Sequence, residues 1–321
     1  MANMYLTITI DTENPYKDTP MEDWIYCNFN GECFGIERIM DILDRHGVKG
    51  TFFVDVYERY NSGNEKIADV CRLIDKKGHD VELHTHPVEG NLSDMPFEKQ
   101  RQFISDGVKF LSDVLNKKPI AHRAGSYMAN LDTLKALKEN GILIDSSNFF
   151  EVSPLGITKN RVVFHACPEQ SGGDGVLEIP VTYFHVPFKP LIKLMGRVLG
   201  RRVFYNGNCK YDINWCSLYG LKSMIERYRR ADVRIVNLFM HSFSFIDEER
   251  QFINIHDLKK FEEAIAYLKN LEGINFITMR EAATRFQNDL SFKEYILNGS
   301  DKVPLSLFGV DLHKLIRRKY V

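Results

Sequence analysis

Two histidines one residue apart, His84-Thr85-His86, run into Pro87, and an acidic pair with the same gap, Asp11-Thr12-Glu13, follows the apolar opening of the chain. On extended backbone, side chains at i and i+2 lie on one side, so each pair can aim both of its groups at one site. Two imidazoles so placed suit a metal such as zinc. With a carboxylate such as Glu13 as third ligand, positions stay open for water, the arrangement of a catalytic rather than a closed structural centre. Of the two acids, one could bind the cation while the other stays free as a base. The plainer alternatives are a solvated loop for the acids and surface or core-edge histidines for the pair.

Further candidates stand singly. His241 ends the apolar run Ile235-Val236-Asn237-Leu238-Phe239-Met240, Arg123 ends a short β-rich stretch, and Asp145 ends Ile142-Leu143-Ile144. Each also has a structural explanation: a core-edge histidine, a surface arginine, a turn-capping aspartate. The long segment 14–30 carries Tyr16, Trp24 and Tyr26, aromatics that could stack on sugar faces or fill a loop core.

These residues share a place in the pattern of elements. Strand-like runs (Tyr5–Ile10, Thr51–Val54, Val81–Leu83, Ile120–His122, Ile142–Asp145, Val162–His165, Val176–Ile179, Arg234–Met240, Asn275–Thr278) alternate with helical periodicities near 36–46, 67–77, 96–115, 130–140, 218–230 and 257–271. Such alternation predicts repeated βα units around a parallel sheet or barrel. Asp11, Glu13, His84, His86, Arg123, Asp145 and His241 all fall at C-terminal strand ends, the edge where parallel α/β architectures build sites. Seven or so strands predict a barrel one βα unit short of eight. Residues 1–286 are expected to form one such barrel, interrupted by an insertion at about 186–216, with a helical extension over 287–321.

Composition narrows the function classes. The 321 residues are 44% hydrophobic and 26% charged, ordinary values for a soluble globular chain. Lys and Arg number 42 against 43 Asp and Glu, for a net charge of −1, which speaks against a general nucleic-acid binder. Six cysteines with no Cys-x-x-Cys pair form neither a disulfide scaffold nor a zinc knuckle. The opening MANMYLTITID is unlike a signal peptide, and no apolar run reaches the ~18 residues of a membrane span. The expectation is a cytoplasmic, reduced protein.

The ordered motifs resemble the polysaccharide deacetylase superfamily, the NodB-homology fold of carbohydrate esterase family 4. Thr9-Ile10-Asp11-Thr12-Glu13 is similar to its first motif, Lys49–Val54 to its second strand, and Gly78–His84 to the approach to its histidine motif. His122-Arg123-Ala124-Gly125-Ser126-Tyr127 resembles the third motif, Asp145 fits the fourth, and Leu238-Phe239-Met240-His241-Ser242 the fifth; Glu178-Ile179-Pro180-Val181 is also familiar. The resemblance covers about residues 4–285. It implies an α/β fold, a distorted (β/α)7-type barrel, and a metal-dependent hydrolase removing an N-acetyl group from an acetamido sugar in bacterial surface-polysaccharide (O-antigen or capsule-type) biosynthesis.

Carried over residue by residue, the resemblance makes Asp11 the general base. Glu13, His84 and His86 become the ligands of one divalent metal, zinc. Arg123 is the partner that keeps Asp11 ionised, and His241 is the general acid tuned by Asp145. Ser126 and the backbone N–H near Tyr127 serve the oxyanion and substrate, with Trp24 as a substrate contact. The family's second acid is usually aspartate, here Glu13, and its histidines are usually spaced i, i+4. Since Val88 occupies that fourth position, His86 takes the ligand role, as in His-x-His-Pro sequences. Alternatives on the same fold are hydrolysis of another C–N bond (a formamido sugar or cyclic amide) and a catalytically inactive glycan-binding barrel.

Two segments bear on partners. Lys189, Lys193, Arg197 and Arg201 recur every fourth residue, with Arg202 beside them and Phe188, Leu191, Ile192, Met195, Val198 and Leu199 between. As a helix this segment would carry a basic stripe beside an apolar face, the pattern of a helix lying on an anionic membrane. Residues 312–319 form a smaller basic, apolar element. Docking of both segments on the protein's own barrel is the plainer reading, ahead of membrane contact and of phosphate or subunit contact. The substrate expected is an acetamido-sugar glycan, free or linked to a nucleotide or lipid, with no nucleic acid as partner.

Overall fold

The computed structural model describes residues 3–16, 19–149, 176–185, 216–230, 233–246 and 252–286, with short stretches at 154–155, 161–163, 165–166, 201–203, 208–210, 212, 295–296 and 316–318. It is an α/β fold: a curled, largely parallel sheet surrounded by helices, a distorted (β/α)7-type barrel. In chain order its strands are β1 (Met4–Thr12), β2 (Thr51–Asp55), β3 (Asp80–Thr85), β4 (Ala121–Ala124), β5 (Ile144–Asp145), β6 (His165–Ala166), β7 (Leu177–Glu178), β8 (Ile235–His241) and β9 (Ile274–Phe276). The hydrogen-bonded order is β8-β1-β2-β3-β4-β5-β7-β6, with β9 pairing the start of β1. Among the described strands of this sheet only β6, at the edge, is antiparallel to its neighbour.

The helices are α1 (Ile36–Arg45), α2 (Asn64–Lys76), α3 (Phe97–Leu115), α4 (Leu131–Glu139), α5 (Leu218–Arg230), α6 (Ile255–Lys269) and α7 (Met279–Phe286). Each buries one apolar stripe against the sheet; in α1 it is Ile36, Ile39, Met40, Ile42 and Leu43. Strands β1–β5, β7 and β8 are buried on both faces, as expected of a parallel sheet under helices.

Unlike the helix-covered face, much of the barrel interior is polar. The Thr7 and Thr9 hydroxyls donate to Asn237 Oδ1 at 3.1 and 2.9 Å, and Asn237 Nδ2 donates to Ser146 Oγ at 3.1 Å. Between β7 and β8, Thr182 N–H donates to the Asn237 carbonyl at 3.3 Å, and Asn237 N–H donates to Thr182 Oγ1 at 2.9 Å. These bonds tie the two sides of the curl where no continuous ladder runs. At the N-terminal end of the strands Arg280 closes the barrel, bonded to Asp80 at 3.2 Å and Glu82 at 2.8 Å.

Two expectations change here. The C-terminal segment, expected to be helical, is extended where it is described: Tyr295–Ile296 pairs with 161–163, and Ile316–Arg318 pairs antiparallel with Arg201–Val203. The basic stripe over 186–203 lies outside the described residues except at Arg201–Val203, a strand rather than helix. The propensity pattern omitted the cross-strand partner, supplied from more than a hundred residues away. Among the described residues no helix is long and apolar enough to cross a membrane.

Candidate active site

Register assembles the site. β1 and β8 run in parallel with Asp11 opposite His241, β2 and β3 place Asp55 opposite His84, and β3 and β4 place His84 opposite Arg123. Five strand ends therefore deliver their polar residues to one mouth. Glu13 Oε2 lies 3.1 Å from His84 Nε2 and 2.7 Å from His86 Nε2, and Glu13 Oε1 lies 3.6 Å from His241 Nε2.

Glu13, His84 and His86 each offer one ligand atom, all within 4.8 Å of one another. Two imidazoles and one carboxylate fit zinc and leave coordination positions open. The outer contacts support the same orientation. His84 Nδ1–H donates to the Arg123 carbonyl at 2.8 Å, which turns Nε2 toward Glu13 Oε2. His86 lies in the loop after β3, its ring tight over Gly125: a Cβ there would fall 2.4 Å from Cε1. Burial opposes the charge of both Glu13 and His86, but their attraction wins; Glu13 sits well below the usual carboxylate range and His86 is pushed up to about 9.

Asp11 and Arg123 form the second half of the site. Arg123 is fully buried, and its Nη1 donates to Asp11 Oδ1 at 2.5 Å. Its remaining donors reach Thr9 Oγ1 at 3.0 Å, Ser146 Oγ at 2.9 Å and the Ser146 carbonyl at 3.2 Å. Phe53 and Phe239 lie against the guanidinium at 4.3 and 5.3 Å. The buried cation is thus hydrogen-bonded through Nε, Nη1 and Nη2, the condition for tolerating it.

After β4 the chain turns through Ser126 and Tyr127, both left-handed at φ 53° and 61°. Non-glycine residues are uncommon there, and such turns direct successive backbone N–H groups to one side, a form suited to anions. Ser126 is exposed and Tyr127 is buried against Phe149 and Phe239. Burial and the nearby charge of Asp11 push the Tyr127 hydroxyl well above its ordinary range.

Two expected residues occupy other positions. Asp145 points away from the barrel interior, where its carboxylate accepts from His122 Nδ1 at 2.8 Å and from Ser147 Oγ at 2.7 Å. Burial works against its charge, but His122, Ser147 and Glu178 hold it below the ordinary carboxylate range. The next residue, Ser146, is the one that reaches Arg123 and Asn237. One step of strand alternation separates these two roles. Trp24 is 4% exposed and packs inside the β1–α1 loop, so its indole supports other rings rather than facing substrate.

The structure adds residues that motif spacing did not single out. Asp55 ends β2 beside His84, and burial pushes it up to about 6. Asp212 is buried and forms an isolated parallel bridge with Phe239, two residues before His241. It belongs to the segment read as an insertion, so no element pattern pointed to it. Phe243 stacks on His241 with ring centroids 4.7 Å apart.

Residues 19–144 match the family model described as polysaccharide deacetylase; the match contains His84, His86 and Arg123 but not Asp11, Glu13 or His241. The fold is similar to that of a Mycobacterium smegmatis protein described as a polysaccharide deacetylase, with 18% identity and TM-score 0.58 over 92% of this chain and 94% of that one. It is also similar to a Pseudomonas aeruginosa protein described in the same way, with 13% identity and TM-score 0.57 over 91% and 93%. An allantoinase is as similar, with 12% identity and TM-score 0.57 over 91% and 93%. At these identities the likeness speaks for the fold alone. No curated protein matches the chain in sequence.

Proposed function

We propose that the chain, whose residues 19–144 match the polysaccharide deacetylase family model, is a metal-dependent hydrolase removing the N-acetyl group of an acetamido sugar in bacterial surface-polysaccharide assembly. The observation that carries this reading is the convergence of Glu13, His84 and His86 beside Asp11 and His241. A zinc ion held by those three ligands would lower the pKa of a bound water and polarise the amide carbonyl.

The chain's own groups do the rest. Asp11 Oδ2 accepts the proton from the attacking water, while Arg123 fixes the carboxylate through Oδ1. The Tyr127 backbone N–H, held in its left-handed turn, donates to the oxygen on which charge develops. His241, across β1 from Asp11, gives a proton through Nε2 to the departing amine, releasing acetate and the amino sugar.

Metal analysis of the wild-type protein and His86→Ala, purified without chelator, tests the centre. About one zinc per chain is expected, lost in the variant; a chain that takes up no metal after zinc addition would overturn the reading. Assaying acetate and formate from acetamido and formamido sugars then fixes which C–N bond is hydrolysed.

A further inference from the structure

On the helix-covered face of the sheet, behind the metal position, lies a second group of polar side chains. Thr85 on β3, His122 on β4, Asp145 on β5 and Ser147 just beyond it are all 0% exposed. Strand alternation puts them on the opposite face from His84, Arg123 and Ser146. His122 Nδ1–H donates to Asp145 Oδ1 at 2.8 Å, and the Thr85 hydroxyl donates to His122 Nε2 at 3.0 Å. Burial lowers the His122 pKa, so the ring is neutral and accepts at Nε2. Ser147 completes the set: its hydroxyl donates to Asp145 Oδ1 at 2.7 Å and accepts from the Ala124 N–H at 2.9 Å.

Both arms of this network end one residue short of the same contact. Thr85 precedes His86, Ala124 precedes Gly125, and Thr85 and Ala124 are paired across β3 and β4. His86 and Gly125 then meet so closely that a Cβ on the glycine would fall 2.4 Å from Cε1 and 2.5 Å from both ring nitrogens. The two histidines of the metal side are held differently. The His84 ring is fixed through Nδ1 on the Arg123 carbonyl. Among the described residues His86 has no such partner at Nδ1, and its side chain is 37% exposed. The placement of its ring therefore depends on the backbone that carries it and on the Gly125 surface beneath it.

We propose that Asp145 is a positioning residue for His86: through His122 it anchors Thr85, through Ser147 it anchors Ala124, and so it fixes how His86 seats on Gly125. The inference rests on the metal-centre reading above and deepens it, giving this buried acid a task on the metal side of the site. Four polar side chains cost more to bury than apolar ones of the same size, and removing any one leaves a partner unsatisfied. What a fully satisfied buried network supplies is a single rigid arrangement. Contacts that orient a metal ligand typically change metal affinity about 10–100-fold. The effect falls on metal retention rather than on turnover of the zinc-saturated chain.

Zinc affinity is measured on the full chain by competition with a chromophoric chelator. The variants are Thr85→Val, Thr85→Ser and Ser147→Ala, each alone and combined with Gly125→Ala. Thr85→Val and Ser147→Ala should each weaken zinc binding about tenfold, while Thr85→Ser, which keeps the hydroxyl, stays within about twofold of wild type. Because Gly125→Ala already displaces the His86 ring, the same substitutions should add less than about twofold in that background. Unchanged zinc affinity in Thr85→Val and Ser147→Ala overturns the inference, whatever happens to the melting temperature of the metal-free chain. A loss as large in Thr85→Ser as in Thr85→Val overturns it too, as does a loss undiminished beside Gly125→Ala. If Thr85→Val does not fold, Ser147→Ala decides by the same criteria. A wild-type chain that takes up no zinc defeats the metal-centre reading and the inference with it, whereas zinc uptake that no variant alters defeats the inference alone.

Discussion

Gly125→Ala separates folding from metal binding at a single atom. An ideal Cβ at position 125 would lie 2.4 Å from Cε1 of His86 and 2.5 Å from both ring nitrogens. Ordinary carbon contacts begin near ~3.5 Å, so the imidazole must retreat by about 1 Å. The three nearest atoms all belong to the end of a side chain that is 37% exposed and can swing toward solvent. The expected cost to folding is therefore that of a surface change, about 0.5 kcal/mol. The cost to the metal centre is larger, because a displaced ring no longer points Nε2 at the position shared with Glu13 and His84. Loss of ligand-orienting contacts typically weakens metal binding about 10–100-fold, and that is the range expected here. Zinc competition against a chromophoric chelator measures it, with a thermal melt of the metal-free protein as control. Wild-type zinc affinity in Gly125→Ala would remove His86 from the ligand set and refute the reasoning. A large drop in melting temperature would show instead that the ring is not free to yield.

Four further outcomes follow from contacts elsewhere. Arg123→Met should destabilise by about 3–5 kcal/mol because it strands the buried Asp11 carboxylate; combining it with Asp11→Asn should recover part of that loss, and urea denaturation showing simple additivity would contradict the pairing. His79, whose pKa burial drives down to about 4, is neutral in the folded chain and takes a proton more readily when unfolded. Its contribution is complete above the unfolded value of about 6.5 and is lost as pH falls toward about 4, so His79→Gln should flatten stability across that window in denaturant titrations. Asp145→Asn should lower stability above the ordinary carboxylate range, the difference fading as pH falls through the depressed value, with kcat nearly unchanged. Asp212→Asn should instead cut kcat about tenfold or more, acting on the His241 side of the site; equal effects of the two variants on kcat would contradict the placement.

What could be read in one dimension was the βα rhythm, because amphipathic periods are local, and with it the strand ends where chemistry collects. The i, i+2 pairs Asp11/Glu13 and His84/His86 were legible for the same reason: extended backbone alone puts both members on one side. Which neighbours Asp145 meets was not legible, because one residue of strand alternation decides which face a side chain takes: Asp145 bonds His122 while Ser146 reaches Arg123. Trp24 was recognisable as an aromatic beside a site, but whether it meets substrate depends on Thr19, Tyr16 and Phe243 closing around it. Asp55 and Asp212 carried no signal, since a lone acid acquires meaning only from the register that sets it beside His84 or Phe239. Sequence by itself determined which residue types stand at which strand ends. Only the tertiary structure decided which of them share a cavity, because strand register and the curl of the sheet bring together groups as distant in the chain as Asp11 and His241.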